Sequence, residues 1–220
     1  MANLIIKPTS GGSLILQDEG GDAAVTVGTT GSTTLAGTAN NLGTISSATT
    51  FPAGHIVKTV VAHKTDTTDI NGATATGWFD ISGMSASITP ANGNKILVNV
   101  DLKVGAGNHQ QGILMKVLRS IGGASYAEID YRGNTSDSRS RVIAGFEESG
   151  QHATDISYII YPLNGQFLDS PSTASAITYK VQFRIEHSGS YGFVNRTGND
   201  ANNANIPRGA SSITLQEIQQ

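Results

Sequence analysis

Cysteine is absent from the 220 residues, which removes disulfide frameworks and thiolate metal sites. Charge is scarce as well. Only 14% of the chain is charged and 38% hydrophobic, against roughly 25% and about 45–50% in ordinary globular domains. The formal net charge of −3 argues against nucleic acid as a partner, because phosphate binding needs a basic face. The nearest basic cluster, Arg132, Arg139 and Arg141 in "YRGNTSDSRSR", is interleaved with Asp130 and Asp137 and reads as a solvated turn. No run approaches 18 apolar residues, so no membrane-spanning segment and no membrane insertion is expected. The opening "MANLIIKPTSGG" lacks the apolar core and cleavage pattern of a signal peptide. The protein is expected to be made in a cytoplasm and not secreted by the usual route. Aromatic residues are missing from the first fifty positions, so that stretch cannot build a core of ordinary bulk.

What fills the chain is Gly, Ser, Thr, Asn and Ala together with Val and Ile, a composition that suits a pleated surface and predicts an all-β protein. Composition changes near Phe51, after which come all six Phe, all six Tyr and the single Trp78. The reading is therefore an N-terminal segment, 1–50, and a larger domain, 51–220, joined through the small, polar "NNLGTISSATTFPAG". In the N-terminal segment the runs "NLIIKP", "SLILQ", "AAVTVG" and "STTLAG" recur between glycine pairs. Glycine supplies the positive φ of tight hairpin turns. Leu14, Leu16, Val25, Val27 and Leu35 give these short strands one apolar row each. The expected partner of that row is further copies of the same segment, intertwined as in a fibre.

Beyond Phe51, alternation with a period of two predicts half-buried antiparallel strands. In "AITYKVQFRIEH", Ile177, Tyr179, Val181, Phe183 and Ile185 take one face, and Thr178, Lys180, Gln182, Arg184 and Glu186 the other. "KILVNVDLKV" repeats the pattern, with Ile96, Val98, Val100, Leu102 and Val104 inward. Further strands are expected at 56–64, 77–82, 113–119, 125–131, 155–161, 191–196 and 211–218. Nine or so strands between Gly, Asn, Pro and Ser clusters predict an antiparallel jelly-roll-like β-sandwich. "QQGILMKVLRSIGG" fits a helix as well, through Leu114, Leu118 and Ile121, with Gly122 as its stop. Strand is the preferred reading of 112–122, because a lone helix would break the sandwich.

A search for chemistry finds little. His55, His63, His109, His152 and His187 are scattered without the close pairing of zinc ligands. Asp200, among the asparagines of "NRTGNDANNANIPRG", is one carboxylate where calcium loops offer several, and asparagine is at home in turns. No metal and no cofactor is expected. There is no G-x-S-x-G. Carboxylates for sugar hydrolysis would come from Glu128, Asp130, Glu147, Glu148 and Asp155; Glu128 and Asp130 would stand about 7 Å apart on one strand face. Any strand with a polar outer face yields such pairs, and no catalytic residue is assigned.

Four phrases in order, "TTFPAGHIVKTVVAHKTDT", "DISGMSASITPANGNKILVNVDL", "FLDSPSTASAITYKVQF" and "FVNRTGNDANNANIPRGASSITLQEI", resemble a module of tailed-bacteriophage structural proteins, especially marine ones. The likeness runs from about Thr50 to Ile218. The N-terminal stretch is similar to the short-strand segments that precede such domains in fibre-like proteins. The resemblance implies a non-enzymatic virion protein, a homotrimer attached to other virion proteins through its N-terminal segment, and carries over no catalytic residue. A short tail fibre, a capsid decoration protein and a polysaccharide depolymerase stay open as readings. Aromatic faces beside amide-rich loops also leave open a host-glycan site, drawn from Tyr126, Tyr131, Tyr158, Tyr161 and Tyr191.

Overall fold

The computed structural model describes residues 12–17, 20, 23–27, 33–35, 51–71, 77–107, 111–134, 137–148, 156–186 and 191–220. The chain divides into two compact units, Met1–Thr50 and Phe51–Gln220.

The first unit holds β1 (Leu14–Gln17), β2 (Ala23–Val27) and β3 (Thr33–Leu35) in one antiparallel sheet of that order. Register places Leu14 opposite Val27, Leu16 opposite Val25, and Val25 opposite Leu35. Residues facing each other across a ladder share a face. The apolar side chains of Leu14, Leu16, Val25 and Val27 therefore share one face, with Ile15 and Thr26 on the other. The run "NLIIKP" lies outside the described residues.

The second unit is built from β4 (Ile56–Lys64), β5 (Thr68–Asn71), β6 (Phe79–Ile88), β7 (Lys95–Ala106), β8 (Gln111–Ile121), β9 (Ala127–Glu128), β10 (Ala144–Glu148), β11 (Ile160–Asp169), β12 (Ile177–Ile185), β13 (Tyr191–Val194) and β14 (Ser211–Ile218). One sheet runs β4-β14-β7, with β11 on the far edge of β7 and β13-β5 continuing past its C-terminal end. The other runs β10-β8-β12-β6, with β9 beside β8. All these pairs are antiparallel.

Eight of these strands pair first with last: β4 with β14, β6 with β12, β7 with β11, β8 with β10. Rolling that long hairpin over brings β14 against β7 and β12 against β8, which is the connectivity of a jelly roll. The expected all-β sandwich is what forms. The chain enters and leaves the domain at one end, where Gly54 N–H donates to Gln219 O (2.8 Å) and Gln219 N–H to His55 O (2.9 Å). Alternating strand direction gathers the connections β4–β6, β7–β8, β10–β11 and β12–β14 at the opposite end.

The inner faces make the core. Ile96, Val98, Val100, Leu102 and Val104 of β7, and Ile177, Tyr179, Val181, Phe183 and Ile185 of β12, are all fully buried, each side chain contributing about 1.5–3 kcal/mol. Residues 111–121 form a strand, not a helix, paired to β12 along its length with Ile113, Met115 and Val117 inward. Two expected strands differ. At 155–161 the described residues hold a short 3-10 turn, Ile156–Tyr158, and β11 starts at Ile160. It runs through Pro162, which is tolerated because β11 is an edge strand paired only to β7. At 125–131 only Ala127 and Glu128 pair with β8. The missing rung beside Val117 is supplied by a side chain: the Tyr131 hydroxyl donates to Val117 O at 2.6 Å and accepts from Val117 N–H, while its ring stacks on Phe167 at 3.8 Å.

Candidate functional site

Alternation along β12 and β8 sends Thr178, Lys180, Gln182, Arg184 and Glu186 outward beside Leu114, Lys116 and Leu118. This is the outer face of the β10-β8-β12-β6 sheet. Lys180 Nζ donates to Asp80 Oδ2 and Gln182 Nε2 to Asp80 Oδ1, both at 2.7 Å. Burial pushes the Asp80 carboxyl up, but these two hydrogen bonds outweigh it and hold it below its ordinary value. Lys116 Nζ sits 4.2 Å over the Trp78 ring and bonds Glu128 Oε1 at 3.0 Å. Arg132 takes the other oxygen of Glu128 at 2.7 Å. The hydrogen bond from Lys116 leads the causes that lower the Glu128 carboxyl. Lys180 Nζ also lies 4.1 Å over the Tyr126 ring. Both cation–π contacts pin aromatic rings to the face.

Towards the loop end the face opens into a cleft of about 530 Å³, within the size range of small-molecule sites. Its floor is Leu114, opposite Gly145 of β10 and Arg184 of β12. Its wall is the 138–142 part of the β8–β10 connection, and Glu186 stands beside Arg184. Gly145 leaves the Leu114 side chain its place, since a Cβ would come within 2.5 Å of it. Arg184 Nη2 reaches Glu186 Oε2 at 3.2 Å, and Nη1 reaches Ser140 Oγ at 3.4 Å. Arg184 Nε and Glu186 Oε1 are buried and have no hydrogen-bond partner. The Arg–carboxylate fork is thus half made, with one of its two parallel bonds open.

At the loop end, "NRTGNDANNANIPRG" closes on itself. Asn195 is fully buried with φ of 62°. Its Nδ2 donates to Lys64 O (2.8 Å) and Asp66 O (2.9 Å), and its Oδ1 accepts from Ser211 Oγ. Its backbone N–H donates to Lys103 O, and its carbonyl accepts from Gly209 N–H, each at 2.9 Å. One side chain thereby closes the seam where β13 and β14 meet β7. Asp200 is held by Arg208, and Arg196 Nε donates to Asp69 at 2.7 Å. That bond is the main reason the Asp69 carboxyl is lowered and the Arg196 guanidinium raised.

The other residues singled out in the sequence are dispersed. Tyr131 and Tyr161 pack on Phe167 and Phe146; Tyr126, Tyr158 and Tyr191 are exposed. Glu128 and Asp130 each have their own cations, Lys116 and Arg132 for the first, Arg141 at 2.6 Å for the second. Asp155, His109, His152 and His187 lie outside the described residues, as do the side chains of Glu147 and Glu148. His55 stacks on Phe51, and His63 points outward opposite Ser212. Among the described residues no group of three or more His, Asp or Glu converges as a metal site would, and no helix is long and apolar enough to cross a membrane. The Arg184 cleft was not singled out from sequence. Its traces there are the polar alternation of β12 beside two glycine-bearing strands and Arg139 of the basic cluster read as a solvated turn.

Neither a protein-family model nor a curated protein sequence matches the chain. Among solved structures it is similar to chains of infectious bursal disease virus. For the Gx strain the identity is 11% and the TM-score 0.37, over 90% of this chain and 46% of that one. For the Gt strain the values are 9% and 0.38, over 88% and 47%. For the VP2 subviral particle they are 10% and 0.33, over 73% and 37%. The chain spans less than half the length of these structures.

Proposed function

We propose that this chain is a non-enzymatic bacteriophage virion structural protein: a homotrimeric surface appendage of the short tail-fibre kind, docked to other virion proteins through residues 1–50 and presenting its jelly roll outward. The observation that carries the reading is the face made by Leu14, Leu16, Val25 and Val27. Leu16 is 54% exposed and Ile15, on the opposite face, 48%. A three-stranded sheet of 3–5 residues per strand is marginal without something to cover its apolar side. Copies of the same segment offer the matching face, and small Thr and Gly suit the crowding where three chains converge. The ordered phrases that resemble tailed-phage structural proteins support the virion setting. The jelly roll supports display, because its chain ends meet at one pole and the β4–β6, β7–β8, β10–β11 and β12–β14 connections gather at the other. Glu128 and Asp130, each held by its own cations, support a non-catalytic role.

Sedimentation of the full chain should give a trimer mass, and Leu16→Asp should shift it towards monomer while leaving the jelly roll folded. A full-length protein that stays monomeric at micromolar concentration overturns the trimer. Copies counted per particle should number a few dozen at most; hundreds would make the protein a capsid decoration instead. Release of reducing ends from host polysaccharide would make it a depolymerase, and none is expected.

A further inference from the structure

We propose that the cleft between the outer face of β8-β12 and residues 138–142 binds an acidic saccharide unit, one bearing both hydroxyls and a carboxylate. The inference rests on the reading of the protein as a host-facing virion component, and gives that component its ligand class and site.

The chemistry of the cleft selects the ligand. Among the described residues two guanidinium groups, Arg184 and Arg139, and one carboxylate, Glu186, line it, so the site favours an anion that also carries hydrogen-bond donors. Glu186 repels a bare anion, so the anion it admits is one that also brings a hydroxyl to donate to it. A single carboxylate among the described residues is too few for calcium. The floor is Leu114 and the wall includes Val142, an apolar strip on which the C–H face of a sugar ring can rest. Serine hydroxyls at Ser138 and Ser140 stand at the rim and can both donate and accept.

The Arg184–Glu186 pair is the element that would respond. Its present bonds are long, 3.2 Å to Glu186 and 3.4 Å to Ser140, and Nε and Oε1 are left over and buried. Leaving such atoms unpaired is costly. A sugar carboxylate can take the guanidinium fork through Nε and Nη, the arrangement for which Arg is suited and Lys is not. A neighbouring hydroxyl can then donate to Glu186. The glycines keep room for this: a Cβ at Gly112 would meet the Glu186 side chain at 2.9 Å. The cleft also lies where β8 begins and β12 ends, in the half of the domain away from the chain ends.

The test is binding by saturation-transfer NMR and calorimetry with the full-length protein. The probes are an oligosaccharide of alternating glucuronic acid and neutral hexose, and a neutral glucose oligomer of equal length. The acidic oligomer should bind about tenfold or more tightly than the neutral one. Arg184→Lys should weaken it by about tenfold, and Lys58→Ala, on the other sheet, should leave it unchanged. Ser140→Trp, on the exposed wall, should abolish binding by filling the cleft without touching the core. No binding of either sugar, equal binding of both, or full binding by both Arg184→Lys and Ser140→Trp overturns the site. A trimer of the expected copy number that binds no acidic sugar would overturn this inference alone and leave the proposed structural role standing.

Discussion

The Tyr179 hydroxyl donates a 2.6 Å hydrogen bond to Asp169 Oδ2, and that bond crosses the sandwich. Tyr179 belongs to β12 in one sheet, Asp169 to the edge strand β11 in the other. Arg119, opposite Tyr179 on β8, donates to both oxygens of the same carboxylate at 2.7 Å. A buried carboxylate is tolerated only when its lone pairs are filled. Here a guanidinium and a phenol fill them, and the two sheets are tied where the core would otherwise end. Burial, reinforced by the hydrogen bond to Asp169, raises the Tyr179 phenol far above its ordinary value.

Removing Asp169 should therefore cost more than removing Tyr179's hydroxyl. Tyr179→Phe loses one hydrogen bond while Arg119 still serves the carboxylate, a loss of about 1–2 kcal/mol. Asp169→Ala strands both partners and should approach the roughly 3–5 kcal/mol of a broken buried pair, towards the lower end because Arg119 reaches solvent. Urea unfolding of the two variants decides it. Equal midpoints for the two would refute the larger role given to Asp169, and midpoints equal to the wild type's would mean that the bridge contributes no stability.

Tyr131 sets an alkaline limit. Burial is the main cause that pushes its phenol from 10.0 up to about 12. Between those values the folded state keeps a proton that the unfolded chain has lost. The stabilisation is thus complete below pH 10 and is lost as pH rises through about 12. Melting temperature should fall over that window more steeply in the wild type than in Tyr131→Phe. The variant should start lower at neutral pH by about 1–3 kcal/mol, because the Val117 amide and carbonyl lose their partner. Parallel pH profiles would refute the role given to this hydroxyl.

Asn195 combines a left-handed backbone with a filled hydrogen-bonding side chain. Asn195→Ala should cost about 2–4 kcal/mol, from Lys64 O, Asp66 O and Ser211 Oγ losing a buried partner and from a Cβ residue without a local hydrogen bond at positive φ. Asn195→Gly relieves only the backbone part and should remain well below wild type in thermal stability. If glycine restores it fully, the side-chain bonds contribute nothing.

Phe183, fully buried opposite Met115, should cost about 3–5 kcal/mol when changed to Ala. Chemical denaturation gives the number directly. A loss under about 1 kcal/mol would place the side chain outside a packed core.

Strict alternation in β7 and β12 was readable from the chain alone. Each of these strands has one face in the core, and a residue shifted by one would bury Lys180 or Arg184 in place of Phe183. The all-β class, the sandwich and the apolar row of the N-terminal strands follow from the same local rule. What the tertiary structure decided is everything that depends on distant partners. β11 runs through Pro162 and Gly165 because as an edge strand it needs only one neighbour. The strand expected around 125–131 shrinks to two residues because the Tyr131 hydroxyl takes the rung a backbone would have filled. Residues 81–84, around Gly83 with φ of 83°, bulge so that five steps on β6 match two on β12, from Ser85–Lys180 to Asp80–Gln182. The cleft exists because residues 138–142 cross a face whose floor comes from three strands far apart in sequence. Periodicity reports which side of a strand is buried, and nothing in it reports which other strand, or which loop, comes to lie against that side.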